Sequence, residues 1–172
     1  MKKISITRKI ISIFVGLMMC LILQSVAFAN LQDPKNLLGK AAPAIGNLTS
    51  YSVPVKNSVN IIIFWNSKNE SAIYALEYIQ DIYNQFKSKG LLVYGINDSN
   101  EKSSILSSTN YQIHITFPLA TGSSAVKAAG LYEIKSVPVV FLINKACKVE
   151  EVYEGYANLV DSDLSRKIQE LL

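Results

Sequence analysis

Apolar residues fall in dense blocks along the chain, separated by polar stretches. Residues 59–65 (VNIIIFW), 91–96 (LLVYGI) and 137–143 (VPVVFLI) are rich in β-branched and aromatic side chains without polar alternation. Such runs suit strands covered on both faces. Between the first two, Ala72, Leu76, Ile79, Tyr83 and Phe86 recur at helical spacing. They predict an amphipathic helix over 70–89 that stops at Lys89-Gly90. Its start carries two capping signals: Ser67 and Glu70 at capping-box spacing, and Asn69, itself a good cap.

Weaker patterns fill the rest. Residues 30–43 are a polar lead-in, and 45–56 (IGNLTSYSVPVK) read as a short hairpin. Residues 100–108 suit a short helix, and 123–131 (SSAVKAAGL) another with a serine cap. Pro138 is tolerated as the first residue of the third strand. Residues 144–148 form a turn, 149–156 a return strand, and 160–172 a final helix through Leu164, Ile168 and Leu171. Buried strand, helix, buried strand implies a parallel pair with a right-handed crossover. Strand, tight turn, strand, helix implies an antiparallel hairpin capped by a helix. The sum is an α/β sandwich: a mixed sheet with helices on both faces.

The N-terminus is different in kind. Positive residues 1–9 precede an apolar run over 10–23, and Ala27 and Ala29 form an A-x-A site. This is the pattern of a signal peptide over 1–29, cleaved before Asn30, with an uncleaved anchor over 10–29 as the alternative. Either version exports residues 30–172 to a periplasmic or extracellular compartment. Cys20 follows the bulky Met19, which disfavours a lipoprotein site and leaves it an apolar residue of the signal core.

Composition then removes whole classes of function. With 172 residues, 49% apolar and 17% charged, the chain has room for one compact domain. Four of its 17 basic residues lie in residues 1–9 with no acid nearby, so the remaining 13 balance the 13 acids. That neutral body carries no electrostatic footprint for nucleic acid or an anionic membrane. Past the signal only one cysteine remains, Cys147, at a turn tip; it is free, capped or bridged to another molecule. His114, the only histidine, would make a minimal nucleophile–base pair with it, but the two lie in separate segments without an orienting third group. One His and one Cys do not complete a metal site, and no phosphate-binding or nucleophile-elbow motif occurs. Nothing points to a cofactor.

Four ordered segments carry a resemblance. Gly39-Lys-Ala-Ala-Pro43, Phe64-Trp65-Asn-Ser67, Phe117-Pro118-Leu119 with 125–132, and Ser136-Val-Pro-Val-Val-Phe-Leu-Ile-Asn144 together span residues 37–172. They resemble the thioredoxin-like superfamily. The likeness is to the exported branch shared by thiol–disulfide oxidoreductases of cytochrome c maturation and the peroxiredoxin, or alkyl hydroperoxide reductase–thiol-specific antioxidant, group. The resemblance implies a three-layer sandwich, a cis-proline at Pro138, and a backbone at Val137 that pairs with an extended peptide. It also implies a Cys-x-x-Cys pair after the F-W-A-S segment, where this chain has Asn69 and Ala72. An amide can neither form a mixed disulfide nor be oxidised like a thiolate, so the expected reaction centre is replaced. Cys147 stands where the family has a turn glycine.

The resulting expectation is a non-catalytic module that binds a protein or extended peptide. The groove lies between 66–72 and Val137-Pro138, with Trp65, Asn69, Val137 and Pro138 as binding residues and no catalytic residue. Two alternatives remain: an oxidoreductase acting through Cys147 and a partner thiol, and a structural envelope subunit.

Overall fold

The computed structural model describes residues 32–46 and 52–172. The expected export segment with its boundary at residue 29, and the middle of the expected 45–56 hairpin, lie outside them. Residues from Pro34 onward form one compact unit. No helix among the described residues is long and apolar enough to cross a membrane.

Five strands make one mixed sheet. In chain order they are β1 (Val59–Trp65), β2 (Leu91–Asn97), β3 (Leu119–Ala120), β4 (Val139–Ile143) and β5 (Val149–Glu154). Their order across the sheet is β3-β2-β1-β4-β5. β1 pairs parallel with β2 and antiparallel with β4, and β2 pairs parallel with β3. The three apolar runs therefore occupy the three central positions. Every residue of β1 and β4 is buried, as helices on both faces require. β3 was not expected: two half-buried residues carry no periodicity to read.

Helix α1 (Glu70–Phe86) is the crossover between β1 and β2. Its apolar face goes to the core through Ala72, Ala75, Leu76, Ile79, Ile82 and Phe86. A 3-10 turn over Lys87–Lys89 continues it, and Gly90 ends it at φ 101°, a backbone angle that favours glycine. α2 (Ser103–Ile113) starts later and runs further than the expected 100–108, to His114 at φ 53°. α3 (Ser123–Leu131) has the expected bounds but no serine cap: Gly122 takes that position and Ser123 is already helical. The expected 160–172 helix is the shorter α5 (Leu164–Leu171), with Leu164 and Ile168 buried. An unexpected short helix, α4 (Tyr156–Val160), stands between it and β5, which ends at Glu154 rather than at 156. The third strand begins one residue after Pro138, whose carbonyl instead accepts from Gly155 N–H at 2.9 Å.

The lead-in is not loose. Pro34–Leu37 form a 3-10 turn, and Gly39 N–H donates to the Val149 carbonyl at 2.9 Å, docking this stretch beside β5. Of the expected hairpin, one antiparallel bridge is described, Ile45 with Val53.

Phe64, Tyr132 and Phe141 meet at the core, with ring centroids 4.9–5.9 Å apart. The Tyr132 hydroxyl donates to the Pro43 carbonyl at 2.8 Å, tying α3 to the lead-in. Burial raises the Tyr132 pKa, with a smaller push from Cys147, and burial first of all pushes Tyr153 up to about 12. Both phenols are neutral when protonated, and both hold their protons more tightly folded than unfolded. Their contribution to stability is therefore complete below about pH 10 and is lost as pH rises beyond it. The urea midpoint should hold steady from pH 7 to 9 and then fall through pH 10 to 12. Tyr132→Phe should cost about 1 kcal/mol at neutral pH, by losing its bond to Pro43, and flatten that alkaline decline. An equally steep decline in the variant would contradict the assignment.

Candidate functional site

In an open sheet with parallel strands, the loops beyond their C-terminal ends form the natural crevice. Here β1 ends at Trp65 and β2 at Asn97, and residues 66–69 lead from β1 into α1. Asn69 is the N-cap, with extended backbone angles, and its Oδ1 accepts from Ala72 N–H at 3.2 Å. The other half of the same amide reaches across the site: Nδ2 donates to the Val137 carbonyl at 2.7 Å. One side chain thus caps α1 and clasps the segment that opens β4.

That segment carries the Val137-Pro138 bond, which is cis, as the motif implied. Val137 is buried, and its carbonyl belongs to Asn69. No described residue accepts from its N–H. Pro138 is held from the other side by Gly155. Asn69, Val137 and Pro138 are therefore brought together. Trp65, the last residue of β1, has a fully buried side chain, so it packs in the core rather than presenting a surface to a ligand. Its Nε1 has no hydrogen-bond partner among the described residues, and an added Cβ on Gly95 would come within 3.4 Å of it.

Ser67 does not cap the helix, contrary to the capping-box signal. Its hydroxyl donates to Glu101 Oε1 at 2.8 Å, and its N–H to Glu101 Oε2 at 3.2 Å. The same carboxylate takes the Asn97 amide at 2.7 Å, and Asn97 is fully buried. Glu101 thereby joins the loop after β1 to the loop after β2. Asn66 adds a second tie, donating to Asp98 at 3.0 Å. Sequence reasoning missed both Asn97 and Glu101. Asn97 had left a signal, a polar residue closing an apolar run, whereas Glu101 in a serine-rich stretch had none. Gln80 was missed as well. This buried amide on α1 accepts from Thr116 N–H at 2.8 Å and donates to the Thr116 hydroxyl at 2.9 Å, anchoring the segment before β3.

Cys147 is elsewhere. It lies in the β4–β5 turn, and β4 runs antiparallel to β1, with Val139 opposite Phe64 and Ile143 opposite Asn60. The turn is therefore at the other end of β1 from Asn69, a strand length of roughly 20 Å. Cys147 has φ 60°, the left-handed angle that a turn glycine adopts easily. Its thiol is half-buried, 3.8 Å from the Pro54 carbonyl. His114 is exposed at the end of α2, in a separate element. Among the described residues no group of three His, Cys, Asp or Glu is placed to hold a metal ion.

This architecture is the thioredoxin-like fold, and solved structures match it. A protein assigned as thiol:disulfide interchange protein DsbE of Chlorobium tepidum superposes with a TM-score of 0.67 at 22% identity, covering 78% of this chain and 96% of its own. A thiol:disulfide interchange protein from a Bacteroides species gives 0.64 at 20% identity over 77% and 88%. The thioredoxin domain of a thiol-disulfide oxidoreductase from Bacteroides vulgatus gives 0.63 at 20% over 77% and 96%. Residues 39–152 match the AhpC/TSA family, and the chain belongs to that family. No curated protein matches it in sequence.

Proposed function

We propose that this chain is an exported thioredoxin-like module that binds a protein or extended peptide partner and carries out no thiol chemistry at its groove. The supporting observation is the Asn69 clasp. An amide sits at the first turn of α1, where the family resemblance places the attacking cysteine, and is bonded to the segment before Pro138. What remains at the groove is the Val137 N–H, a backbone donor suited to pairing with an extended chain. Cys147, at the far end of β1, cannot supply sulfur to this groove without a large rearrangement.

The full chain should reduce neither insulin disulfides nor hydrogen peroxide above the buffer rate, and Cys147→Ser should behave identically. Titrated with carboxymethylated, permanently unfolded lactalbumin, it should lose NMR intensity first at the Val137 and Asn69 amide signals. Turnover that disappears in Cys147→Ser would establish an oxidoreductase instead. An absence of any change at Val137 would remove the binding reading.

A further inference from the structure

The outer face of α1 carries Glu70, Tyr74, Glu77, Tyr78 and Asp81, at spacings that place them on one stripe. The three acids are exposed and Tyr74 is 44% exposed. α1 contains no Lys or Arg, and none of these acids is in an ion pair among the described residues. Glu77 and Asp81 are a like-charge pair at i and i+4, which weakens a helix on its own. Along the chain the basic residues next to α1 lie only beyond its ends: Lys68 precedes the cap, and Lys87 and Lys89 follow the last turn, with Lys87 engaged with Asn84 at 3.0 Å. In a body with balanced charge, no ion pair among the described residues offsets this face.

The face also has an aromatic floor. The Tyr74 hydroxyl donates to Glu70 at 2.7 Å, and its ring lies 5.8 Å from that of Tyr156, tilted by 45°. Tyr156 follows Gly155, whose N–H holds the Pro138 carbonyl. The stripe is therefore continuous with the groove at Val137-Pro138. Carboxylates beside the exposed Tyr74 ring, with the half-buried Tyr156 next to it, suit one kind of group, a cationic side chain lying over the rings.

We propose that the partner presents a basic segment: an extended polypeptide whose Lys or Arg side chains lie on Tyr74 and Tyr156 between Glu70 and Glu77. This rests on the binding reading above and adds the chemistry of the partner. Charge complementarity is the argument, since a basic segment neutralises the Glu77–Asp81 repulsion that the helix otherwise bears.

The test is calorimetric titration of the full chain with three blocked ten-residue peptides in which alanine alternates with lysine, glutamate or serine. The lysine peptide should bind about tenfold or more tighter than the serine peptide and weaken as salt is raised. Glu77→Lys, a change on an exposed position, should cost about tenfold in that affinity, and Tyr74→Ser about fivefold. Equal binding of all three peptides overturns this inference, while the response of Val137 to unfolded lactalbumin would still uphold the binding reading. No binding of the lysine peptide overturns it too. So does a self-association seen in sedimentation and abolished by Glu77→Lys, which would mean that a second copy covers the face.

Discussion

The double variant Asn69→Cys, Ala72→Cys should close an internal disulfide in the folded chain and reduce insulin faster than the parent. Residues three apart along a helical turn have Cα atoms about 5 Å apart, inside the Cα separation of about 4.4–6.8 Å that a disulfide tolerates. The Ala72 N–H lies 3.0 Å from the Asn69 carbonyl, so this turn is already tight. A thiol at position 69 would sit at the α1 N-terminus, where the helix dipole and free N–H groups favour the thiolate. Oxidation by glutathione disulfide then removes two electrons from the pair and yields two reduced glutathiones. The cost falls on Asn69, whose cap and clasp are both lost, for a total of about 1–3 kcal/mol. Ala72 is fully buried, so its new sulfur must fit at the core edge. Mass spectrometry after alkylation reads the bridge directly, and circular dichroism confirms the fold. A folded variant with both thiols still alkylatable after oxidation would show that these positions are not the family's cysteine positions.

What could be read from the sequence follows from how each residue earns its place. The runs at 59–65, 91–96 and 137–143 were legible because central strands buried on both faces need apolar side chains at every position. α1 was legible because one face meets the core, and its cap was legible because Asn69 acts on its own helix. β3 was not, because its two residues are held by pairing with Gly95 and Ile96 rather than by a pattern of their own. The short α4 was missed for a related reason: its five residues bury only Leu159 and are too few to show a helical period. Within the site, Asn69 and Val137-Pro138 could be named from motif order, but their hydrogen bond could not, because it joins residues 68 positions apart. Glu101 illustrates the limit: its role comes wholly from two loops that the sheet brings together. Trp65 was chosen from the same motif, yet an aromatic at the end of a fully buried strand belongs to the core.

Glu101→Ala should destabilise the fold by about 3 kcal/mol, more than its exposure would suggest. Hydrogen bonds to a carboxylate are worth about 1.5–3 kcal/mol each and do not add when they share an acceptor. Three are lost at once: from the Ser67 N–H, the Ser67 hydroxyl and the Asn97 amide. Ser67 can turn to water, being half-exposed, but Asn97 is fully buried and its amide donor is left without a partner. The damage therefore has a direction. It spreads from Asn97 along the 66–69 loop to Asn69, and slackens the clasp on Val137. Glu101→Gln keeps the shape but turns one acceptor into a donor facing either the Ser67 N–H or the Asn97 amide, and should cost about half as much. Urea denaturation ranks the two variants, and hydrogen exchange at Ser67 and Ala72 tests the route. Faster exchange at both, with α5 unchanged, is expected. If Glu101→Ala lies within about 0.5 kcal/mol of the parent, the usual range for surface substitutions, the loops are held by something else and the groove does not depend on this carboxylate.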